Sequence, residues 1–331
     1  MDKVALLSQE QRVELFSETA KIMGTTNAIV EKDFWVVWVL SKIFADERLN
    51  KILMFKGGTS LSKVFNLIGR FSEDVDLILD WRLVAAKDEP EKNDRSKNKQ
   101  DKFNKGVNEK AQTYIEMTLL PIINEVLSPI CHSKVDEEDK FSLNISYPST
   151  FDDVYLRPEI LLEIGPLASW LPSGKYEISS FVAEHFPSFF ETPKCRLNAI
   201  EAKRTFWEKA TILHHEANRP ESSPLPSRYS RHYYDLAIMA KSFVKEEALA
   251  DLELLEKVVE FKKKFYPRGW ADYDSAKVGT LKLLPPEYRL LSLRQDYKSM
   301  QDMIFDKQLE FDEIVTTLEQ LEKDINKEIK E

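Results

Sequence analysis

Two aspartates one residue apart, Asp74 and Asp76 in "DVDLIL", and an adjacent glycine pair, Gly57 and Gly58 in "FKGGTSLSK", are the residues best suited to chemistry. On a strand, positions i and i+2 point the same way, which sets the two carboxylates a few Å apart. Uncompensated, such carboxylates repel and one takes up a proton. A divalent cation removes the conflict. Mg²⁺, with Mn²⁺ as the alternative, prefers hard oxygen ligands and is usually held by one or two carboxylates plus substrate phosphates. A Gly-Gly turn opening a helix presents backbone N–H groups and the positive dipole end to an anion. Gly57, Gly58, Thr59 and Ser60 thus form a candidate phosphate cradle beside a candidate metal clamp. The chain has only nine glycines in 331 residues, so an adjacent pair is not a product of composition. "GGTSLSK" is not a Walker A loop, because the four-residue gap and the terminal Gly-Lys-Ser/Thr are missing. A lone D-x-D is commonly a surface or capping feature and a lone Gly-Gly a turn. Their ordered combination is far more specific.

The elements that must position these residues follow from periodicity. "KILMF" predicts a short buried strand, "TSLSKVFNLI" a helix of roughly three turns, and "DVDLIL" a returning strand with Asp74, Asp76 and Ile78 on one face. Upstream, Thr26 to Phe44 predicts a helix, with Thr25, Thr26 or Asn27 as its cap. From Lys87 to Lys105, twelve of nineteen residues are charged, which predicts a mobile insertion or a solvated helix outside the core. Gly106 to Ile130 predicts a helix, and "FSLNISYPS" and "RPEILLEIGP" predict strands. "CRLNAIEAKRTFWEKATILHHEA" predicts a helix, and Asn218 to Ser227, with three prolines, a loop. "SRHYYDLAIMAKSF", "EEALADLELLEKVVEFKKKF" and Leu309 to Ile329 predict further helices, the last with Ile314, Leu318, Leu321 and Ile325 as a core stripe. The expected fold class is α/β (α+β). A small mixed sheet flanked by helices fills residues 1–180, with the charged insertion near 87–105. A C-terminal α-helical domain, 181–331, completes the nucleotide and acceptor site, the two being joined near 170–195.

Bulk properties narrow the classes. With 43% hydrophobic and 31% charged residues the chain can bury a core and is not a disordered polymer. The start carries no apolar run after a basic region, and the most apolar stretch, Phe34 to Leu40, is too short to span a bilayer. A cytoplasmic protein without membrane partners is expected. Cys131 and Cys195 form no C-x-x-C pair. The net charge is −9, yet Glu191 to Lys245 holds ten Lys or Arg against six Asp or Glu, with His214, His215 and His232. Such asymmetry suits a surface that meets a nucleotide or RNA, although charge alone is read more simply as a solvated mixed surface.

The order G-[GS], helix, D-x-[DE] resembles the signature of DNA-polymerase-beta-like nucleotidyltransferases. The fuller form, "FKGGTSLSK" followed by "RFSEDVDL", resembles the AbiEii/AbiGii toxin family of bacterial nucleotidyltransferases. The likeness continues at "VEKDFWVVWVL" (Val30 to Leu40), "RTFWEKATILH" (Arg204 to His214) and "RHYYDL" (Arg231 to Leu236). It implies an enzyme that moves NMP from an NTP to an acceptor, as the toxin half of a toxin–antitoxin or abortive-infection system. RNA is the implied acceptor, a tRNA 3′ end in some relatives, with a protein hydroxyl as the alternative. An antitoxin encoded nearby is the implied partner. A non-catalytic nucleotide-sensing or partner-binding module and a kinase are the rival readings.

The resemblance also implies a third carboxylate on a neighbouring strand. Glu159 and Glu163 are the candidates, and Glu163 is preferred because it lies deeper in an apolar run. It would be a third metal ligand or help deprotonate the nucleophile; the alternative is a partly buried salt bridge to Arg70 or Arg157. Arg70, with Ser72, is a candidate phosphate contact or a structural residue. The likeness implies that Lys209 contacts the nucleotide phosphates and that Asp235 is paired with basic neighbours. Arg231 and Asp235 stand at i and i+4 and could pair. His232 could contact nucleotide or acceptor.

Overall fold

The computed structural model describes residues 1–70, 74–85, 90–91, 94–153, 156–305 and 308–327. The chain divides into two compact units. One is Met1–Phe65 with Phe71–Ile200, the other Asn66–Arg70 with Glu201–Glu331.

The first unit opens with helices α1 (Asp2–Ala5), α2 (Gln9–Met23), α3 (Asn27–Ala45) and α4 (Glu47–Asn50). Ser8 starts α2 through a capping box with Gln11, and Thr26 caps α3 by accepting from the Ile29 N–H. Strand β1 (Leu53–Lys56), helix α5 (Gly57–Lys63) and strand β2 (Asp74–Leu79) follow. Next come α6 (Arg82–Ala85), α7 (Lys97–Tyr114), a π-helical turn at Ile115–Leu119 and α8 (Leu120–Leu127). The unit closes with β3 (His132–Val135), β4 (Ser142–Ser146), β5 (Glu159–Gly165), β6 (Ser173–Ser179), α9 (Phe181–His185) and β7 (Lys194–Ile200).

Among the described residues seven strands form one mixed sheet in the order β3-β4-β5-β2-β1-β7-β6. β2 runs antiparallel to β1 and parallel to β5, and β1 is parallel to β7. Alternation gives the sheet two unlike faces. Phe55, Val75, Leu77, Leu162, Ile164 and Leu197 point to one side and are buried. Lys56, Asp74, Asp76, Glu163 and Asn198 point to the other and are half-buried. Helix α3, buried without interruption from Ala28 to Leu40, packs on β7 and β5.

The second unit is helical: α10 (Ala202–Ala217), α11 (Ser230–Ala240), α12 (Val244–Leu249), α13 (Leu252–Phe265), α14 (Glu287–Met300) and α15 (Phe311–Lys327). α10 packs against α11, α12 and α13, and α11 against α14 and α15. Ile314, Leu318, Leu321 and Ile325 are at most 1% exposed, so the expected stripe is core. The short segment Asn66–Arg70 is pinned within this unit by a bridge from Arg70 to Ile304 and by the Phe305 N–H donating to the Gly69 carbonyl.

Several expectations change. Lys194–Ile200 is a strand, with Cys195, Leu197 and Ala199 inward and Arg196 outward; the helix expected from Cys195 begins only at Ala202. The segment expected to join the two parts supplies β6 and enters β7, so the sheet runs on to Ile200. α5 has seven residues instead of three turns, and Asn66 just beyond it has a left-handed φ of 49°. Within the charged insertion, Lys97 onward is helical, burying little besides Gln100, Val107 and Ala111.

Candidate active site

Gly57 takes φ +84° at the junction of β1 and α5, a conformation open to glycine and costly for other residues. A Cβ there would stand 1.9 Å from Asp76 Oδ2. The turn's backbone therefore lies directly against the Asp76 carboxylate. The Thr59 hydroxyl donates to the Asp74 carbonyl, and Ser60 Oγ donates to the Gly57 carbonyl at 2.8 Å. Both side chains are buried, at 5% and 0% exposure. Their hydroxyl protons thus hold the turn to β2 and to itself, where a phosphate cradle had been expected of the side chains as well as of the backbone.

Asp74 and Asp76 share the half-buried face of β2. The parallel register with β5 sets Asp76 beside Glu163 and Asp74 beside Leu161, while on the other flank Lys56 pairs with Asp76. Neighbouring strands lie about 4.8 Å apart, so Glu163, Asp76 and Lys56 form one row across three strands. Glu163 is pushed up to about 7 by burial first, then by the negative charges of Asp76 and Asp74, with Lys56 opposing. Glu159 sits at the head of β5 and accepts from Ser146 Oγ at 3.2 Å. Asp80 pairs with Arg82. Among the described residues no three His, Cys, Asp or Glu side chains are gathered into a ready metal cage. The donor chemistry nevertheless suits Mg²⁺, which keeps waters and takes one or two carboxylates with substrate phosphates. The crowded negative charge felt at Glu163 is what a cation would relieve.

A second charged cluster lies within the helical unit. Arg70 forks onto Asp235, Nε to Oδ1 and a terminal nitrogen to Oδ2, both at 2.7 Å. The Lys209 ammonium lies 2.7 Å from Asp235 Oδ2. The three are 4%, 7% and 0% exposed for Arg70, Lys209 and Asp235. Burial alone would raise the Asp235 carboxyl, but Arg70 and Lys209 outweigh it and hold the group well below the usual carboxylate range. Asp235 therefore draws its partners from other segments, and not from Arg231 one turn before it. Arg70 likewise spends its fork on Asp235, where a bridge to Glu163 had been the alternative. His232 is pushed well below its ordinary value by burial and then by Lys209 and Arg231. Its Nδ1 is buried with no hydrogen-bond partner among the described residues. Ser72 lies outside the described residues.

The basic segment Glu191 to Lys245 is divided, its first ten residues belonging to the sheet unit. Several of its cations are matched: Arg196 with Glu177, Lys203 with Asp251, Lys241 with Glu313 and Lys245 with Asp324. Glu31, Lys32 and Asp33, to which the sequence reading gave no role, are buried in α3. Three consecutive charges inside an apolar helix are the signal that could have found them.

A glycine turn set against a strand carboxylate, with a further carboxylate alongside on a parallel strand, gives the chain the build of a nucleotidyltransferase core. The family described as "Nucleotidyl transferase AbiEii toxin, Type IV TA system" matches residues 38–317, and the chain belongs to it. It is thus a nucleotidyltransferase toxin of the type IV toxin–antitoxin class, with an NTP as substrate and an antitoxin as partner. Among solved structures it is similar to MenT4, a nucleotidyltransferase toxin from Mycobacterium tuberculosis H37Rv, at 16% identity and a TM-score of 0.40, covering 96% of this chain and 97% of that one. No curated protein matches it. Among the described residues no helix is long and apolar enough to cross a membrane.

Proposed function

We propose that the chain transfers NMP from an NTP to a hydroxyl of RNA, a tRNA 3′ end being the foremost candidate, at the carboxylates Asp74, Asp76 and Glu163. The observation that carries the reading is the register of Glu163 beside Asp76, with the Gly57 backbone packed on the same carboxylate. Asp74, Asp76 and Glu163 would hold Mg²⁺, which supplies charge neutralisation for the triphosphate and alignment of attacking and leaving oxygens. The backbone from Gly57 to Ser60 orients the phosphates. The acceptor oxygen bonds to the α-phosphorus, the bond to the bridging oxygen breaks, and pyrophosphate leaves. Glu163, beside Asp76, is the group placed to take the proton of the acceptor hydroxyl where it is not itself a metal ligand.

The family resemblance gives Lys209 the role of a phosphate contact, and its ammonium lies 2.7 Å from Asp235 Oδ2. Arg231 and His232, on the same helix as Asp235, are candidate nucleotide contacts.

The test uses the full-length protein with Mg²⁺, cellular RNA and each NTP labelled at either the α or the γ phosphate. Label from the α position on RNA supports the proposal. Label from the γ position would make the enzyme a kinase, label on protein would move the acceptor away from RNA, and no transfer would leave a nucleotide-binding module.

A further inference from the structure

Glu31, Lys32 and Asp33 stand one turn into α3 and are 1%, 1% and 3% exposed. Charges this deeply buried cost several kcal/mol unless their partners are in place, so the partners show what the fold holds there. The Glu31 carboxylate accepts from the Thr150 N–H at 2.8 Å, Thr150 Oγ1 at 2.7 Å, the Phe151 N–H at 3.1 Å and Ser149 Oγ at 3.3 Å. These groups belong to the connection from β4 to β5. The Lys32 ammonium donates to the Arg157 carbonyl at 3.0 Å, two residues ahead of β5. Asp33 accepts from the Phe181 N–H at 2.7 Å and pairs with Lys63 at 2.5 Å. The Lys63 ammonium also lies 3.9 Å from the centre of the Phe181 ring.

Apart from the bond from Phe181 in α9, each ends on α5 or on the chain leading into β5. Lys63 is the last residue of α5, whose first is Gly57, and Gly57 abuts Asp76. Thr59, between them, is tied to the Asp74 carbonyl. Arg157 and the 149–151 connection lead into β5, which carries Glu163 beside Asp76. One helix therefore fastens the elements on both flanks of the row.

We propose that Glu31, Lys32 and Asp33 are positioning residues for the carboxylate row: from α3 they seat α5 and β5, so that Gly57 and Glu163 close on Asp76 from two sides. The inference rests on the reading of that row as the metal and NTP site. The bonds of Glu31, Lys32 and Asp33 given above end outside the row itself. Removing such an outer partner typically costs 10–100-fold in metal affinity or activity.

The decisive variant is the double substitution Asp33→Asn with Lys63→Met, which removes the tether without leaving a lone buried charge. Lys63→Arg, which keeps the pair but lengthens the cation, is the second variant. Asp76→Asn is the control for the site. Melting temperature establishes folding, Mn²⁺ affinity is read from the paramagnetic resonance of free Mn²⁺, and the half-saturating Mg²⁺ concentration is read from transfer of α-labelled NTP. The expected result is a folded double variant with both Mn²⁺ dissociation constant and Mg²⁺ requirement raised about 10–100-fold, and a smaller shift in the same direction for Lys63→Arg. Wild-type metal response in whichever of the two variants folds overturns the positioning role. Full activity in Asp76→Asn would instead overturn the site reading, so the two failures are told apart.

Discussion

Gly57 lies against Asp76 so closely that the first carbon of any side chain on the former would occupy the space of the latter's carboxylate oxygen, 1.9 Å away. The turn and the carboxylate are one object in packing terms, and a change to either is a change to both.

Gly57→Ala should therefore abolish nucleotidyl transfer while leaving the fold largely intact. The left-handed φ costs a non-glycine residue roughly 1–2 kcal/mol, a minor part of a domain's stability. The clash must be relieved by moving Asp76 or the turn, and a displacement of about 1 Å at a reacting centre costs on the order of 100-fold. Steady-state transfer of α-labelled NTP, beside a melting curve, checks both halves. An alanine variant with near-normal turnover would mean that the turn takes no part.

Glu163 makes the metal-free protein pH-sensitive in an unusual direction. Its carboxyl titrates at about 7 when folded, against 4.5 ordinarily. Between those values the folded chain binds more protons than the unfolded one, so stability falls as pH rises. The contribution is complete below about pH 4.5 and gone once pH passes about 7. In chelator, melting temperature should decline across that window, and Glu163→Gln should flatten the decline. Apparent Mg²⁺ affinity should rise over the same range and level off above it. A wild-type profile identical to that of Glu163→Gln would refute the assignment.

Asp235 should act as a pillar of the helical unit. Asp235→Ala leaves Arg70 and Lys209 buried without their counter-charge, a loss worth about 3–5 kcal/mol. Denaturant melts followed by a probe in the second unit, such as Trp207 fluorescence, would measure it. A loss below about 1 kcal/mol would show that the cluster is easily rehydrated.

Expression in a bacterium lacking the antitoxin should slow growth, and Asp76→Asn should relieve the effect at equal protein level. The family membership motivates the expectation. If both versions slow growth alike, toxicity does not arise from transfer.

The aspartate pair was readable in the sequence because strand periodicity and like-charge repulsion act locally, within three residues. Glu163 was singled out once the family resemblance implied a third carboxylate, because it lies deeper than Glu159 in the apolar run of "EILLEIG". The third strand pairing on the same sheet was not. In "CRLNAIEAKRTFWEKA" an alternating pattern runs straight into a helical one with no glycine or proline between them, so the two periods fuse into one apparent helix. β6, "SGKYEIS", is a polar strand at the edge of the sheet and carries little apolar signal. The partners of Asp235 were hidden for a different reason. Local spacing points to Arg231, but Arg70 is 165 positions away, and pairing at that range leaves no periodicity to read.

The five residues Asn66–Arg70 belong to the helical unit although the chain on either side of them belongs to the sheet unit. The polypeptide thus visits its second unit twice, and no single cut yields two whole pieces. A fragment beginning at Glu201 would have all of α10 and α11 but no Arg70, leaving Asp235 with Lys209 alone in a dry interior. Dissection of this protein by truncation would test a damaged unit. A split chain would need residues 66–70 restored, as a grafted segment or as part of a co-expressed complementary half, before the fragment could be compared with the whole.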